Sequence, residues 1–403
     1  MNSGLPKQVC IIGAGYVGMS YAVLISSFAD IKIWDIDIKK RDLINAKKLP
    51  IQDLDSESTL SAKANWNIVA SKNLNEALNK SQLVLICIST DFNESKNSFD
   101  VNEMNKLIDQ VGKYSPNVQI VIKSTVSIGY SAKRTKETGL NILFSPEFLR
   151  EGMAIRDNQF PSRIIIGKTN QNQTCDPYLS VAQEIAKNSP EIFEMSASEA
   201  ESVKLFSNSY LAMRIAFFNE VDGFALENNL LIKDIIEGMS ADNRIGNYYN
   251  NPSFGFGGYC LPKDSRQALV SMNDLPNELI QSINKSNSKR KEFISKYLLH
   301  MDKDLYGFYR INMKENSDNM RESASIEIIK ILISAGKQVI IYEPLLNNTN
   351  DFDNVELVKN LDEFKERSDI IIANRVTEEI LDCKEKLFSR DLSYDTKSRP
   401  KNI

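Results

Sequence analysis

The sequence predicts an α/β protein in which two doubly wound domains are joined by a long central helix. Three observations predict it. A strand, a glycine turn, a helix and a second strand follow one another between Gln8 and Asp35. Further runs of Val, Ile and Leu recur with helical stretches between most of them, and they are continuous rather than alternating, as in parallel strands covered on both faces. Between two αβ stretches lies a long segment without proline.

QVCII (8–12) reads as a short buried strand, GAGYVG follows, and an apolar helix runs to about Phe28. The next strand, IKIWD, ends at Asp35. LVLICIS (83–89), VQIVIKST (118–125) and RIIIG (163–167) continue the sheet, so residues 1–195 form a nucleotide-binding domain of Rossmann type. Ser196 with Glu199 fits a helix-capping box, as does Ser198 with Glu201 one register later. No proline interrupts the chain from there to Pro252, which predicts one helix over about 197–228, roughly 45–50 Å long. A helix of that length connects domains or forms a subunit interface. Further helices to about residue 300 complete a central region, 196–300. YGFYRI (306–311), QVIIYE (338–343) and SDIIIAN (368–374), around a helix near 321–335, predict a smaller Rossmann-like domain over 301–403.

Composition narrows the functions. The chain has 403 residues, 42% of them apolar and 25% charged, as expected of a globular protein of two or three domains. A net charge of −4 leaves no broad basic field for nucleic acid. No apolar run reaches the roughly 18 residues of a membrane span, and the N-terminus lacks the apolar core of a signal peptide. The five cysteines are odd in number and widely dispersed, which suits a reducing cytoplasm and offers no metal site or disulfide framework. The single histidine, His300, falls near a predicted helix end. Acid–base chemistry therefore falls to Asp, Glu, Lys or ordered water.

Gly13-Ala14-Gly15-Tyr16-Val17-Gly18 matches GxGxxG in its proper context, after a strand and opening a helix. Gly13 permits the tight turn, Gly15 leaves room for a pyrophosphate, and Gly18 lets helix and strand pack closely. Phosphate oxygens would meet the N–H groups of the helix start. Asp35 can accept hydrogen bonds from both ribose hydroxyls and repels a 2′-phosphate, which favours NAD over NADP.

GFGGYCLPKD (255–264) sets Cys260 in a glycine-rich loop beside Lys263 and Asp264. Either the cysteine is a small residue in a structural loop, or the glycines admit a substrate and the lysine helps ionise a nucleophile. With NAD implied, a nucleophilic cysteine points to oxidation at the aldehyde level, through a hemithioacetal and a thioester that water hydrolyses. Cys10 and Cys87 read as buried packing residues; Cys175 and Cys383 have no assigned role. Lys204 and Asn208, one turn apart on the long helix, share a face and could serve a developing oxyanion.

Six blocks then stand in a telling order: GAGYVG (13–18), KSTVSIG (123–129), SPEFLREG (145–152), ASEAESVKLFSNSYLAMRIAFFNE (197–220), NNPSFGFGGYCLPKD (250–264) and YRINMKENSDNMRES (309–323). Over nearly its whole length the chain resembles the UDP-glucose 6-dehydrogenases in their short bacterial form, within the UDP-glucose/GDP-mannose dehydrogenase family. The resemblance implies that the C6 alcohol of UDP-glucose is oxidised to a carboxylate by two NAD at one site, giving UDP-glucuronate for capsule or other polysaccharide synthesis. It implies Cys260 as nucleophile, Lys204 and Asn208 as oxyanion donors, and Asp264 and Thr125 as the holders of a proton-carrying water. Glu147 would be the base for thioester hydrolysis, and Glu151 would lie near the nicotinamide.

By the same resemblance, NAD would meet Gly13, Gly15, Tyr16, Val17, Gly18, Asp35, Lys40, Thr90, Thr125, Glu151, Lys263 and Arg321. UDP-glucose would lie along Glu147, Phe148, Leu149, Arg150 and Glu151, beside Lys204 and Asn208. The loop Tyr249, Asn250, Asn251, Pro252 and Ser253, with Gly257, would cover it, and Lys314 would meet its pyrophosphate. Arg244 would reach the substrate of a neighbouring subunit, which implies a homodimer built on the long helix. One departure stands out: where the family has a Thr-Pro-Thr type segment, this chain has Ile88-Ser89-Thr90-Asp91, without the proline. Relatives that oxidise UDP-N-acetylhexosamines or GDP-mannose share the two glycine loops and the cysteine, and SPEFLREG favours the UDP-glucose branch.

Overall fold

The computed structural model describes residues 4–51, 53, 66–311, 322–344, 346 and 355–393. The chain divides into two compact units, Met1–Phe206 and Ser207–Ile403. The first is built on an eight-stranded sheet of β1 (Gln8–Ile12), β2 (Asp30–Trp34), β3 (Ile68–Ala70), β4 (Leu83–Ile86), β7 (Gln119–Ile122), β8 (Ile142–Phe144), β9 (Arg163–Lys168) and β10 (Glu191–Ser196). The two-residue strands β5 (Phe92–Asn93) and β6 (Ser98–Phe99) pair separately. The sheet order β10-β9-β8-β7-β4-β1-β2-β3 contains the doubly wound arrangement in which the chain reverses direction between β1 and β4, where such folds bind ligands.

The continuous apolar strands are explained by burial on both faces. Val9, Ile11, Leu83 and Leu85 join one core layer, while Cys10, Ile12, Val84 and Ile86 join the other. Each fully buried aliphatic side chain contributes about 1.5–3 kcal/mol. The helix Asn102–Tyr114 buries Met104, Leu107, Ile108 and Val111, the i, i+3, i+4, i+7 stripe of an amphipathic helix. Burial pushes the Cys10 and Cys87 thiols far up, as suits packing residues. One expectation is corrected: β9, the RIIIG strand, pairs antiparallel with β8, and β10 lies parallel to β9, so these two run against the other six. Burial on both faces makes a strand apolar throughout and carries no information about direction.

The long helix spans Ala197–Glu227, about 46 Å at 1.5 Å per residue. The capping box is formed: the Ser196 N–H donates to Glu199 at 2.8 Å, and the Glu199 N–H to Ser196 Oγ at 3.3 Å. Buried Glu201 accepts the N–H groups of Gly129 (2.6 Å) and Ser131 (2.9 Å), capping the helix Tyr130–Thr138. Ser198–Glu201, the alternative register, is therefore put to another use.

The second unit carries the helices Ile232–Ser240, Cys260–Ser271 and Glu278–His300. Its sheet comprises β11 (Leu305–Tyr309), β12 (Gln338–Tyr342), β13 (Glu356–Leu357), β14 (Ile370–Ile372) and β15 (Leu387–Phe388), ordered β13-β12-β11-β14-β15 and parallel throughout. Tyr306 and Phe308 face one layer and Tyr309 the other. This is again a Rossmann-like arrangement.

Inside this unit Asp222 of the long helix, with no exposed surface, meets Arg290 from the helix Glu278–His300 and Arg390 from the segment after β15. Arg290 also donates to the carbonyls of Ser253 (3.0 Å) and Asn219 (3.1 Å). Burial works against the Asp222 charge, but Arg390 and then Arg290 outweigh it and hold the carboxyl below the usual carboxylate range. Asp222→Ala would leave two buried guanidinium groups without their anion and is expected to cost about 3–5 kcal/mol. Because the Asp222 pKa is lowered in the folded state, this stabilisation is present at neutral pH and lost only as pH falls through that lowered value. Calorimetry of wild type and variant should show melting temperatures well apart at pH 7 and converging only in acid.

Candidate active site

The glycine turn bears out the steric readings at Gly13 and Gly18. Gly13 has φ +104, and a Cβ there would lie 2.6 Å from the Cys87 carbonyl oxygen. A Cβ on Gly18 would lie 1.9 Å from the Gly13 oxygen, so only glycine allows this contact between turn and helix. At Gly15 a Cβ would meet nothing within 4 Å, and no side chain caps the helix Tyr16–Ile25 that begins there. The turn is thus open where a pyrophosphate would approach. Tyr16 and Val17, in its first turn, are half-buried. Asp35, just past β2, accepts the N–H of Ala14 (2.6 Å) and of Asp37 (2.8 Å), which fixes its carboxylate at the rim of the turn. Lys40 is half-buried on the helix Ile38–Asn45.

Buried Thr90 donates its hydroxyl to the Thr125 carbonyl at 2.6 Å, so these two expected residues are brought together. Thr125 follows β7 and is buried. Glu147 is also buried, and its carboxylate pairs with Lys123. The Glu147 carbonyl accepts a hydrogen bond from Lys204 at 2.5 Å. Phe148 presents its ring to the Lys204 ammonium (5.3 Å) and to the Arg163 guanidinium (4.0 Å). Leu149 and Glu151 are half-buried. Arg150 is exposed and doubly bonded to Asp157, with contacts of 3.1 and 2.7 Å.

In the second unit the thiol of Cys260 is exposed on the first residue of the helix Cys260–Ser271, and Lys263 and Asp264 follow at three and four positions, on its face. Asp264 has no exposed surface. One of its oxygens accepts from the Asn208 amide at 2.5 Å, and the other pairs with Lys263 at 3.1 Å. A carboxylate only accepts, so the Asn208 amide must turn its nitrogen inward. Burial opposes the Lys263 charge, but Asp264, then Tyr259 and Cys260, outweigh it and leave its pKa raised. A helix start and a buried ammonium both favour thiolate over thiol.

The loop before this helix is pinned through its backbone. Asn219 accepts the Ser253 N–H at 2.8 Å, Asn374 the Phe254 N–H at 3.0 Å, and Asn287 the Phe256 N–H at 2.8 Å. Arg375 donates to the Pro252 carbonyl at 2.8 Å, and Asn251 donates to Asp391 at 2.6 Å. Asn250 donates to Ser240 and Asn247, Tyr249 is exposed at φ +52, and Gly257 is half-buried. Arg244 is almost fully exposed and holds Asp242. Lys314 and Arg321 lie outside the described residues. The sequence reading did not single out Lys123, Asn219, Asn287, Arg290 or Asn374. Lys123 had left a signal, a cation closing the apolar run VQIVIK.

An open glycine turn at the switch point of a doubly wound sheet, together with an exposed cysteine at a helix start, fits a dinucleotide-dependent oxidoreductase. The three parts of one family map along the chain. Residues 7–188 match the NAD binding domain of the UDP-glucose/GDP-mannose dehydrogenase family, residues 198–289 its central domain, and residues 307–400 its UDP binding domain. The chain belongs to that family. It is 43% identical over 394 residues to the UDP-glucose 6-dehydrogenase of Campylobacter jejuni, covering 96% of this chain and 99% of that one. It is 39% identical over 391 residues to the UDP-glucose 6-dehydrogenase of Streptococcus pneumoniae, covering 96% and 99%. In fold it is similar to the UDP-glucose dehydrogenase of the hyperthermophilic archaeon Pyrobaculum islandicum, with a TM-score of 0.87 at 22% identity, covering 98% of this chain and 96% of that one.

The two inner glycines should separate experimentally. Gly15→Ala meets no atom of the protein, so it should melt like wild type while NAD affinity falls about tenfold or more, as measured by titration. Gly18→Ala forces the turn apart and should itself cost about 1–3 kcal/mol in thermal unfolding.

Proposed function

We propose that this chain oxidises UDP-glucose to UDP-glucuronate, consuming two NAD and one water and releasing two NADH, with Cys260 holding the sugar between the two oxidations. The observation that carries the reading is the exposed thiol at a helix start with Lys263 and buried Asp264 on its face. The near-full-length relatedness to UDP-glucose 6-dehydrogenases supports this substrate over its N-acetylated and GDP-linked cousins.

NAD, when bound, supplies the hydride acceptor for each oxidation. Gly13, Gly15 and Gly18 would leave room for its pyrophosphate near Tyr16 and Val17; Asp35 would take its ribose hydroxyls, and Lys40, Thr90, Thr125, Glu151 and Lys263 would complete its contacts. In the first stage the C6 hydroxyl gives its proton to a water held by Asp264 and Thr125 as hydride leaves the carbon. The Cys260 thiolate then adds to the aldehyde carbon, and Lys204 and Asn208 donate to the oxygen that gains charge. Loss of the second hydride leaves a thioester. Glu147 takes a proton from water as its oxygen attacks, the carbon–sulfur bond breaks, and the thiolate departs from a carboxylate product. Substrate contacts fall to the Glu147–Glu151 stretch, to Tyr249–Ser253 and to Gly257. This divides the work among a nucleotide domain (1–195), a central region (196–300) and a sugar-nucleotide domain (301–403).

The long helix exposes Phe206, Tyr210, Phe217 and Phe224, which at 100° per residue lie within about 40° of one line. Such a stripe supports a homodimer built on this helix, with Arg244 reaching toward the partner's substrate. No helix among the described residues is long and apolar enough to cross a membrane. An exposed catalytic thiol supports a reducing cytoplasm, where UDP-glucuronate serves capsule or other polysaccharide synthesis.

Purified enzyme should form two NADH per UDP-glucose consumed, with negligible turnover of UDP-N-acetylhexosamines and GDP-mannose. Cys260→Ser should still bind UDP-glucose yet stall before the carboxylate; complete four-electron turnover by that variant would refute the nucleophile. Phe217→Glu combined with Phe224→Glu should convert a dimer to monomers in sedimentation velocity, and an unchanged mass would count against this helix as the interface.

A further inference from the structure

Below Glu147 lies a buried network that the reaction scheme leaves without a task. Lys123, at the end of β7, is 3% exposed. Its ammonium pairs with the Glu147 carboxylate, donates to the Tyr178 hydroxyl at 2.6 Å and to Ser145 at 3.1 Å, and lies 4.8 Å from the Tyr21 ring centroid. The Tyr178 hydroxyl is 2.8 Å from Ser145 and 3.3 Å from the Tyr21 hydroxyl. A lysine is almost never fully buried without a partner. Here partners converge from two strand ends and two helices, around a carboxylate proposed to act in chemistry.

The charges around Glu147 single out Lys123. Tyr21 faces it from the helix Tyr16–Ile25, Tyr178 from the helix Tyr178–Ile185, and Cys87 from the loop after β4. Burial pushes the Tyr21 and Cys87 protons well up, so both groups stay neutral. Lys204, from the long helix, donates to the Glu147 carbonyl rather than to its carboxylate. Burial also opposes charge on Lys123, but Glu147 and then Tyr178 outweigh it and leave its pKa raised, so the ammonium persists.

We propose that Lys123 is a positioning residue for the hydrolytic half of the reaction: its buried ammonium is the counter-ion that holds the Glu147 carboxylate in place as base for the water that attacks the Cys260 thioester. This rests on the reading of Glu147 as hydrolytic base. Lys123 acts through Glu147. Without it, Glu147 is a buried anion with no counter-ion, and such a group takes up a proton. Both oxidations would still run and the thioester would wait.

Rapid-quench assays of Lys123→Met, Glu147→Gln and Tyr178→Phe with saturating UDP-glucose and NAD test this. Lys123→Met should release a burst approaching two NADH per active site, then turn over about 100-fold more slowly than wild type. Mass spectrometry of the quenched protein should find the sugar-nucleotide acyl group on Cys260. The acidic limb of its kcat–pH profile should move up by about one to three units. Lys123→Arg should restore turnover to within about tenfold. Tyr178→Phe, which removes one hydrogen bond to Lys123, should move the limb in the same direction by less, and it carries the test if Lys123→Met does not fold. Slow turnover by Lys123→Met without burst or adduct, or an unmoved acidic limb in a folded variant, would overturn the proposal. If Glu147→Gln also shows no burst, the base itself is misassigned; if Glu147→Gln bursts and Lys123→Met does not, only the positioning role fails.

Discussion

Asp264 is the constraint on which the second unit's site depends. A carboxylate with no exposed surface is tolerated only when nearby donors replace the water it has lost, and here Asn208 and Lys263 do so. That requirement sets geometry. It turns the Asn208 amide, fixes the first turn of the helix Cys260–Ser271 against the long helix, and thereby sets where Cys260 stands. The lysine that neutralises the carboxylate also interacts electrostatically with Cys260. One buried pair thus links the fold to the proposed nucleophile.

The loop leading to Cys260 is ordered by a different device. Asparagines 219, 287 and 374, far apart in the chain, each accept a backbone N–H from residues 253–256. Neutral amides can hold a glycine-rich backbone without adding charge where a diphosphate would bind. The charge is kept deeper, where Asp222 joins two arginines and Arg290 passes the anchoring on to the Ser253 carbonyl. A loop held this way has lost most of its freedom before any ligand arrives, which lowers the ordering cost of binding.

How much of this the sequence disclosed follows from where each interaction is encoded. The glycine turn was legible at Gly13 and Gly18, because each answers a steric demand written locally, whereas a Cβ at Gly15 meets no atom of the protein. The start of the long helix was legible for the same reason: Ser196 and Glu199 cap one another three positions apart. The direction of β9 was not, since a strand buried on both faces reads alike either way. Strands of two or three residues, such as β3, β13 and β15, are too short to show a period. Lys123–Glu147, Asn219–Ser253 and Asp222–Arg390 join distant parts of the chain, and no spacing announces them. Thr90 is the intermediate case: the missing proline beside it was visible, but its bond to the Thr125 carbonyl was not.

With one histidine near a helix end, the enzyme must obtain proton transfer from carboxylates, and the fold treats two of them alike. Glu147 is buried against Lys123, and Asp264 against Lys263. A buried carboxylate alone would hold its proton and be no base at neutral pH; one fully exposed would be a weak base competing with bulk water. Pairing each with a buried lysine gives the carboxylate a counter-ion while excluding solvent. The two differ in what else they receive. Asp264 also accepts the Asn208 amide, whereas the Glu147 carboxylate meets its lysine beside Tyr178, which accepts from that lysine, and Tyr21, whose proton burial holds in place. The same charge pair in two settings suits the two steps proposed for them, one that moves a proton from an alcohol and one that draws it from water.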